Sequence, residues 1–152
     1  MKKILMTLAL VFVTQMAFCQ SFDDVITKLK KLPNAEAMTL EKDMLKMVAA
    51  TAPDDAKKTF DKIDKMIMLG IENPSAESQA TFLKEVKSLK NKYSKLAEEE
   101  EEGQTVLLFG DMDDDGNSNA LIMATIGKDE CMIVYIDGKI SADELSALDS
   151  LK

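Results

Sequence analysis

The acidic segment Asp111–Gly116 is the part of this sequence whose residue types and spacing come nearest to a ligand site. Asp111, Asp113 and Asp115 occupy the first, third and fifth positions of a calcium-binding loop, and Gly116 follows where such a loop turns sharply. Ile122 stands where a bidentate glutamate normally closes the calcium shell. The three aspartates are therefore candidate ligands for weak calcium binding. The simpler interpretation, which the sequence favours, is an acidic Asp-Gly hairpin turn without metal.

The residue types that are missing limit the chemistry further. The chain contains no histidine, no arginine and no tryptophan. Imidazole catalysis, Ser-His and Cys-His nucleophiles, histidine metal sites and guanidinium clamps are thereby excluded. Among 27 acidic residues the sequence singles out no catalytic pair. We therefore expect no enzyme, no catalytic residue and no cofactor other than the possible calcium, with a carboxylate-based hydrolase as an alternative.

The first 19 residues form the pattern of a secretory signal peptide. Two lysines precede the apolar run Ile4–Val13, and Ala17 and Cys19 are the small residues before a cut at Gln20. The run is too short to span a membrane, and no second one follows. Phe18 disfavours a lipid anchor on Cys19, because a small residue normally precedes a lipidated cysteine. We expect an exported protein that is periplasmic, outer-membrane-associated or secreted.

The net charge and the cysteine content of the mature chain limit its partners and its disulfides. The formal net charge is −8, and it becomes −10 once Lys2 and Lys3 are removed. An acidic chain without arginine is a poor ligand for nucleic acid, so no nucleic-acid partner is expected. Cys131 is the one cysteine left after Gln20, within an apolar run. It cannot form an intramolecular disulfide, and we interpret it as a buried apolar residue.

Residues 20–152 are long enough for a single domain, and its C-terminal part is predicted to be an antiparallel meander. The strands are predicted over three apolar runs separated by turn residues: Thr105–Phe109, Asn119–Ile126 and Cys131–Ile136. A helix should then close the chain. Ser141 and Glu144 have the spacing of a capping box, and three leucines would face the sheet: Leu145, Leu148 and Leu151.

The N-terminal part is predicted to consist of helices with a short strand or two, which makes the fold class α+β. A helix capped by Thr39 is expected to turn four side chains inward: Leu40, Met44, Met47 and Val48. Met66–Ile71 has the length of a buried strand. The run Glu98–Glu102 is expected to form a solvated edge or loop before the meander.

Two of the meander strands are apolar on both sides. In Cys131–Ile136 and in Leu121–Ile126, apolar residues occupy odd and even positions alike. A sheet with one wet face alternates apolar with polar residues, so helices or a partner must cover both faces. The partner is either an unknown protein or a second copy of the chain.

The chain also resembles a known family. The run Ile133–Ser141, followed by Glu144, Leu145 and Leu148, is similar to the end of the secreted domain-of-unknown-function family numbered 4252, typical of Bacteroidetes. The segments Met44–Met47 and Lys62–Leu69 are similar as well. The resemblance implies an exported or membrane-anchored α+β domain and supplies no catalytic residue.

The sequence thus predicts a small exported domain that acts as a non-catalytic binding or structural module. The mature chain is expected to contain no transmembrane segment. A weak calcium-binding module is the first alternative to this prediction.

Overall fold

The computed structural model describes residues 21–141 and 144. Their architecture is a six-stranded antiparallel sheet with helices packed on both of its faces. This confirms the α+β fold class. The predicted signal peptide and most of the predicted C-terminal helix lie outside the described residues. The elements in chain order are α1 Phe22–Leu29, β1 Ala35–Glu41, α2 Lys42–Ala50, α3 Asp54–Asp61, β2 Ile63–Glu72, α4 Ala76–Lys87, a 3-10 turn Ser88–Asn91, β3 Ser94–Glu101, β4 Gln104–Met112, β5 Ser118–Ile126 and β6 Glu130–Ile140.

The strand order across the sheet is β1-β2-β6-β5-β4-β3. The last four strands form a meander, which confirms the predicted one and adds β3 to it. Four glutamates of the acidic run, Glu98–Glu101, belong to this edge strand, so a loop there was the wrong alternative. Glu102 and Gly103 both have positive φ and form the two-residue turn into β4.

One face of the sheet, which we call the covered face, is closed by α1 and α4. Ser21 caps α1 with a reciprocal bond to Asp24, and four apolar side chains of this helix are buried: Phe22, Val25, Ile26 and Leu29. The largest side chains that meet there are fully buried: Leu29, Leu69, Phe82, Leu89, Leu107, Phe109, Ile122 and Ile133. This is the main core of the protein.

The opposite face is covered by α2 and α3, and within the part of the chain that the structure describes these helices reach only one end of it. Leu45 of α2 packs there in a smaller cluster with Ile63, Leu121 and Ile140. The predicted inward face of α2 was wrong: β1 continues to Glu41, and the helix begins at Lys42 without a side-chain cap. Leu45 and Ala49 are the buried positions, whereas three predicted ones are exposed: Met44, Met47 and Val48.

The chain leaves β6 through a hydrogen-bonded cap. The Ser141 N–H donates to Glu144 Oε2 at 3.0 Å, and the Glu144 N–H donates to Ser141 Oγ at 3.4 Å. These are the two bonds of the predicted capping box. The three leucines predicted to follow it lie outside the described residues.

Gly138 explains why β6 can pass close to the start of β2. A Cβ at this position would lie 2.9 Å from the Cα of Ile63, closer than side chains and backbone approach in proteins. A register irregularity between Ile63 and Lys65 accompanies the close approach. The glycine therefore allows both strands to continue into the buried end of the sheet.

Candidate functional site

The predicted calcium segment forms a tight turn between β4 and β5. Asp113 Oδ1 accepts hydrogen bonds from the backbone N–H groups of Asp115 at 3.0 Å and Asn117 at 2.9 Å. Its Oδ2 lies 3.6 Å from Lys139 Nζ. The Asn117 N–H, with Lys139 as a smaller contribution, lowers the pKa of the Asp113 carboxyl. Asp113 thus fixes the turn through its own side chain, as an Asx turn does.

The structure does not gather the three predicted aspartates into one shell. Asp111 is the residue of β4 opposite Ala120, whereas Asp115 is an exposed residue of the turn itself. Within residues 21–141 and 144, no group of three or more acidic or cysteine side chains is placed to hold a metal ion. Calcium binding by this segment stays a prediction, which a titration tests.

The structure confirms that Cys131 is a buried apolar residue. It is fully buried on the covered face, and its Sγ lies 3.7 Å from the carbonyl oxygen of Gly127. Burial raises the pKa of the thiol, so the nucleophilic thiolate is disfavoured at neutral pH.

The end of the opposite face of the sheet that α2 and α3 leave uncovered carries a continuous row of apolar side chains. Neighbouring strands place five apolar side chains side by side, in a register that pairs Met38 with Met68, Met68 with Val134, and Val134 with Met123, with Met132 next along β6. We call this set of five the methionine face. Met38 is 54% exposed and Met123 is 39% exposed, while the other three are half-buried.

The helix α2 carries further exposed apolar side chains. Lys42 Nζ bonds Asp64 Oδ1 at 2.6 Å, which ties the Lys42 side of the helix to the buried end of the sheet. At about 100° per residue, Met44 lies about 160° and Val48 about 120° around the helix from Lys42. Both side chains are exposed.

A groove of about 580 Å³ runs along the methionine face beside β1. Gly70 lies at its floor, where an added Cβ would meet nothing nearer than the Cys131 carbonyl oxygen at 4.0 Å. Met38, Met68 and Met132 line the groove around this glycine. The missing side chain on β2 thus makes a depression whose walls are flexible thioethers.

Carboxylates form the polar end of the groove. Glu72 and Glu130 stand directly opposite each other across β2 and β6, and Glu36 stands opposite Gly70. All three line the groove and are exposed. Like charges in directly opposed positions destabilise a sheet, and a cationic group between them relieves the repulsion.

A second groove, of about 460 Å³, lies at the opposite end of the sheet. Four of its six charged side chains are already paired with one another, because Lys42 bonds Asp64 and Lys62 bonds Glu144. The Lys62 ammonium lowers the pKa of the Glu144 carboxyl. A ligand there would have to replace existing ion pairs, so this groove is the weaker candidate for a binding site.

The sequence contained one signal for the methionine face. The two-faced apolar character of β6 required a cover on the Met132 and Val134 side, and the described helices provide it only at the far end. The groove itself could not be found from the sequence, because it depends on Gly70 lying between β1 and β6.

Fold and surface together define a class: a compact α+β domain with a closed core on one side and an open apolar face on the other. The sequence matches the family described as Domain of unknown function (DUF4252) over residues 22–148, and the chain belongs to that family. No curated protein and no solved structure matches the sequence significantly. Among the described residues, no helix is long and apolar enough to cross a membrane.

Proposed function

We propose that the protein is an exported, non-catalytic binding module whose methionine face receives an amphipathic, cationic segment of another protein. The observation that carries the proposal is the row of apolar side chains left open by α2 and α3. Exposed apolar surfaces of this kind on soluble proteins usually mark interaction sites. Methionine suits such a surface, because its unbranched, polarisable side chain adapts to partners of different shape.

Charge selects the kind of partner. Glu36, Glu72 and Glu130 surround the end of the groove, and the chain as a whole has a net charge of −8. A segment with lysine or arginine beside its apolar residues would contact both the methionines and the carboxylates. An acidic segment would meet repulsion at the same place, so the arrangement discriminates by charge as well as by shape.

Synthetic peptides test this function directly. We expect an amphipathic Leu/Lys peptide to bind and its Leu/Glu counterpart of equal length not to bind, with calorimetry as the measurement. Added sodium chloride should weaken the binding, because it screens the attraction between peptide and carboxylates. Failure of the Leu/Lys peptide to bind at protein concentrations on the order of 100 µM would refute the proposed specificity.

Two methionines of equal exposure provide matched variants. Met123 belongs to the methionine face and Met112 lies beside the acidic turn, and each is 39% exposed. Met123→Lys should weaken binding of the Leu/Lys peptide by about tenfold or more, since it puts a cation on the apolar face. Met112→Lys should change binding by less than about twofold. Equal losses in both variants would show general electrostatic attraction and no defined site.

Export is a separate part of the proposal, supported by the basic and apolar pattern of the first 19 residues. Intact-mass analysis of the protein from the exporting cell should give a chain that begins at Gln20. A mass that includes diacylglycerol on Cys19 would instead show a lipoprotein, and a mass that includes Met1 would contradict export.

A further inference from the structure

The two outer strands of the sheet differ in how they are protected from pairing with another strand. β1 and β3 are the ends of the strand order, so each has one side with no strand partner among the described residues. Such a side presents unpaired backbone N–H and C=O groups, which are a template for another strand.

β3 carries the features that prevent further pairing. Glu98–Glu101 place four negative charges along this strand, and a register irregularity between Lys95 and Ala97 interrupts its ladder. Charged side chains and bulges are standard protections of a sheet edge. A second strand laid against β3 would therefore meet repulsion and poor geometry.

β1 lacks this protection. Its seven residues pair with β2 from Ala35 to Glu41 without any register shift, and the strand contains no lysine and no proline. Five of the seven residues are exposed, including Met38 and Thr39. A regular, exposed strand with two glutamates as its charges is open to a partner strand.

We infer that β1 pairs antiparallel with β1 of a second copy of the chain, around a two-fold axis at Met38. In this register Met38 stands opposite Met38 of the second copy, and all seven residues of each strand are paired. Isologous pairing of this kind is how two-fold dimers form. The two sheets then continue into one sheet of both copies.

The charges of β1 agree with this register. Glu36 stands opposite Leu40 of the second copy and Glu41 opposite Ala35, so no carboxylate faces another carboxylate. A register shifted by one residue would put Glu36 opposite Glu41 of the second copy. It would also turn the methionine faces of the two copies to opposite sides of the joined sheet. The centred register is thus the one that uses the whole strand without opposing like charges.

The dimer also completes the groove beside β1. Met38 of each copy lies on the methionine face, so the two faces become continuous across the two-fold axis. Leu40 of the second copy stands opposite Glu36, which lines the groove. The second copy thereby supplies an outer wall that the single chain lacks. The inference rests on the edge of β1 and does not require the proposed peptide binding.

Sedimentation equilibrium of the chain, at concentrations on the order of 100 µM, tests the inference. We expect a dimer that tightens when sodium chloride is added, because salt screens the repulsion between two acidic copies. This salt dependence is opposite to that expected for the cationic peptide, so the two proposals fail separately. A chain that stays monomeric over this range at high salt would overturn the inference.

Charge exchange at Met38 tests the register. Met38→Lys and Met38→Glu each put like charges opposite each other, and each should weaken the dimer about tenfold or more. Mixing the two variants should restore the dimer, since a lysine then faces a glutamate. Met47→Lys, at a residue 74% exposed on α2, is the matched control and should leave the dissociation constant unchanged. Loss without rescue in the mixture, or equal loss in the control, would overturn the pairing of β1.

Discussion

The two faces of the sheet are built from neighbouring residues of the same strands, yet they are finished differently. Ile122 and Ile133 are fully buried under α1 and α4, whereas Met123 and Val134, one residue further along, belong to the open methionine face. Aromatic and branched aliphatic side chains fill the covered face, while methionine dominates the open one. Close packing gives stability, whereas adaptable exposed side chains suit the binding that we propose. The alternation of side chains along each strand thus separates a packed face of the sheet from an open one.

A truncation on each face gives the largest expected contrast. Phe82 of α4 is fully buried, and Phe82→Ala should lower the free energy of unfolding by about 3–5 kcal/mol. Met123→Ala should cost less than about 1 kcal/mol, because its side chain is already partly in water. Urea denaturation with a common m-value measures both changes.

Similar losses of unfolding free energy in the two variants would contradict the expected difference between the two faces. A large cost for Met123→Ala would mean that the open face is packed in solution, as it would be against a partner or the C-terminal residues outside the described range. Repeating the measurement at several protein concentrations separates these cases, because only intermolecular packing makes the cost depend on concentration.

The stability of the protein at alkaline pH tests the packing of Tyr135 at the edge of the covered face. Tyr135 stacks on Phe22 with ring centroids 4.4 Å apart, and burial, followed by the nearby Asp137 charge, raises the pKa of its phenol to about 12. A phenol in the unfolded chain titrates near pH 10. The fold therefore favours the protonated phenol. Its contribution to stability is complete below about pH 10 and decreases as the pH rises towards about 12.

Tyrosinate absorbance checks this expectation, with Tyr135→Phe as the control. The variant keeps the stacked ring but lacks the ionisable group. Between about pH 10 and pH 11 it should lose less stability than the wild type. Tyr93, whose pKa burial also raises, titrates in both proteins and provides the internal reference. Identical pH profiles would show that Tyr135 is solvated in the folded state.

Local sequence patterns predicted the capping box and the strands well. The buried face of a helix, which depends on tertiary packing, was predicted less well. The capping box at Ser141 and the strands of the meander depend on neighbours within a few residues, and the structure contains them. The helix α2 was predicted one residue out of phase, because Met44, Met47 and Val48 have helical spacing of their own. Leu45 is buried instead, since β1 runs on to Glu41 and the helix starts later.

The candidate surfaces were less predictable. The apolar side chains on both sides of β6 indicated that each face needs a cover, but they could not show that α2 and α3 reach only one end. Gly70 marks the groove only after β1 and β6 are known to flank it. For the run Glu98–Glu102 the sequence predicted a solvated edge or a loop, and the position of β3 at the end of the strand order decides for the edge. These features depend on strand order, which no local pattern in the sequence specifies.

The smallest effect is expected at the acidic turn, where calcium binding was predicted as an alternative. Asp113 Oδ1 already accepts two backbone N–H groups, and its Oδ2 faces Lys139, so a cation would have to displace existing bonds. Any affinity should be no better than about 10⁻⁴–10⁻³ M, the range of weak extracellular calcium modules. Calorimetry with calcium on the wild type and on Asp113→Asn with Asp115→Asn should give equal, small heats. Binding by the wild type that disappears in the double variant would show that the turn opens to hold calcium. The aspartates would then have a role beyond fixing the path from β4 to β5.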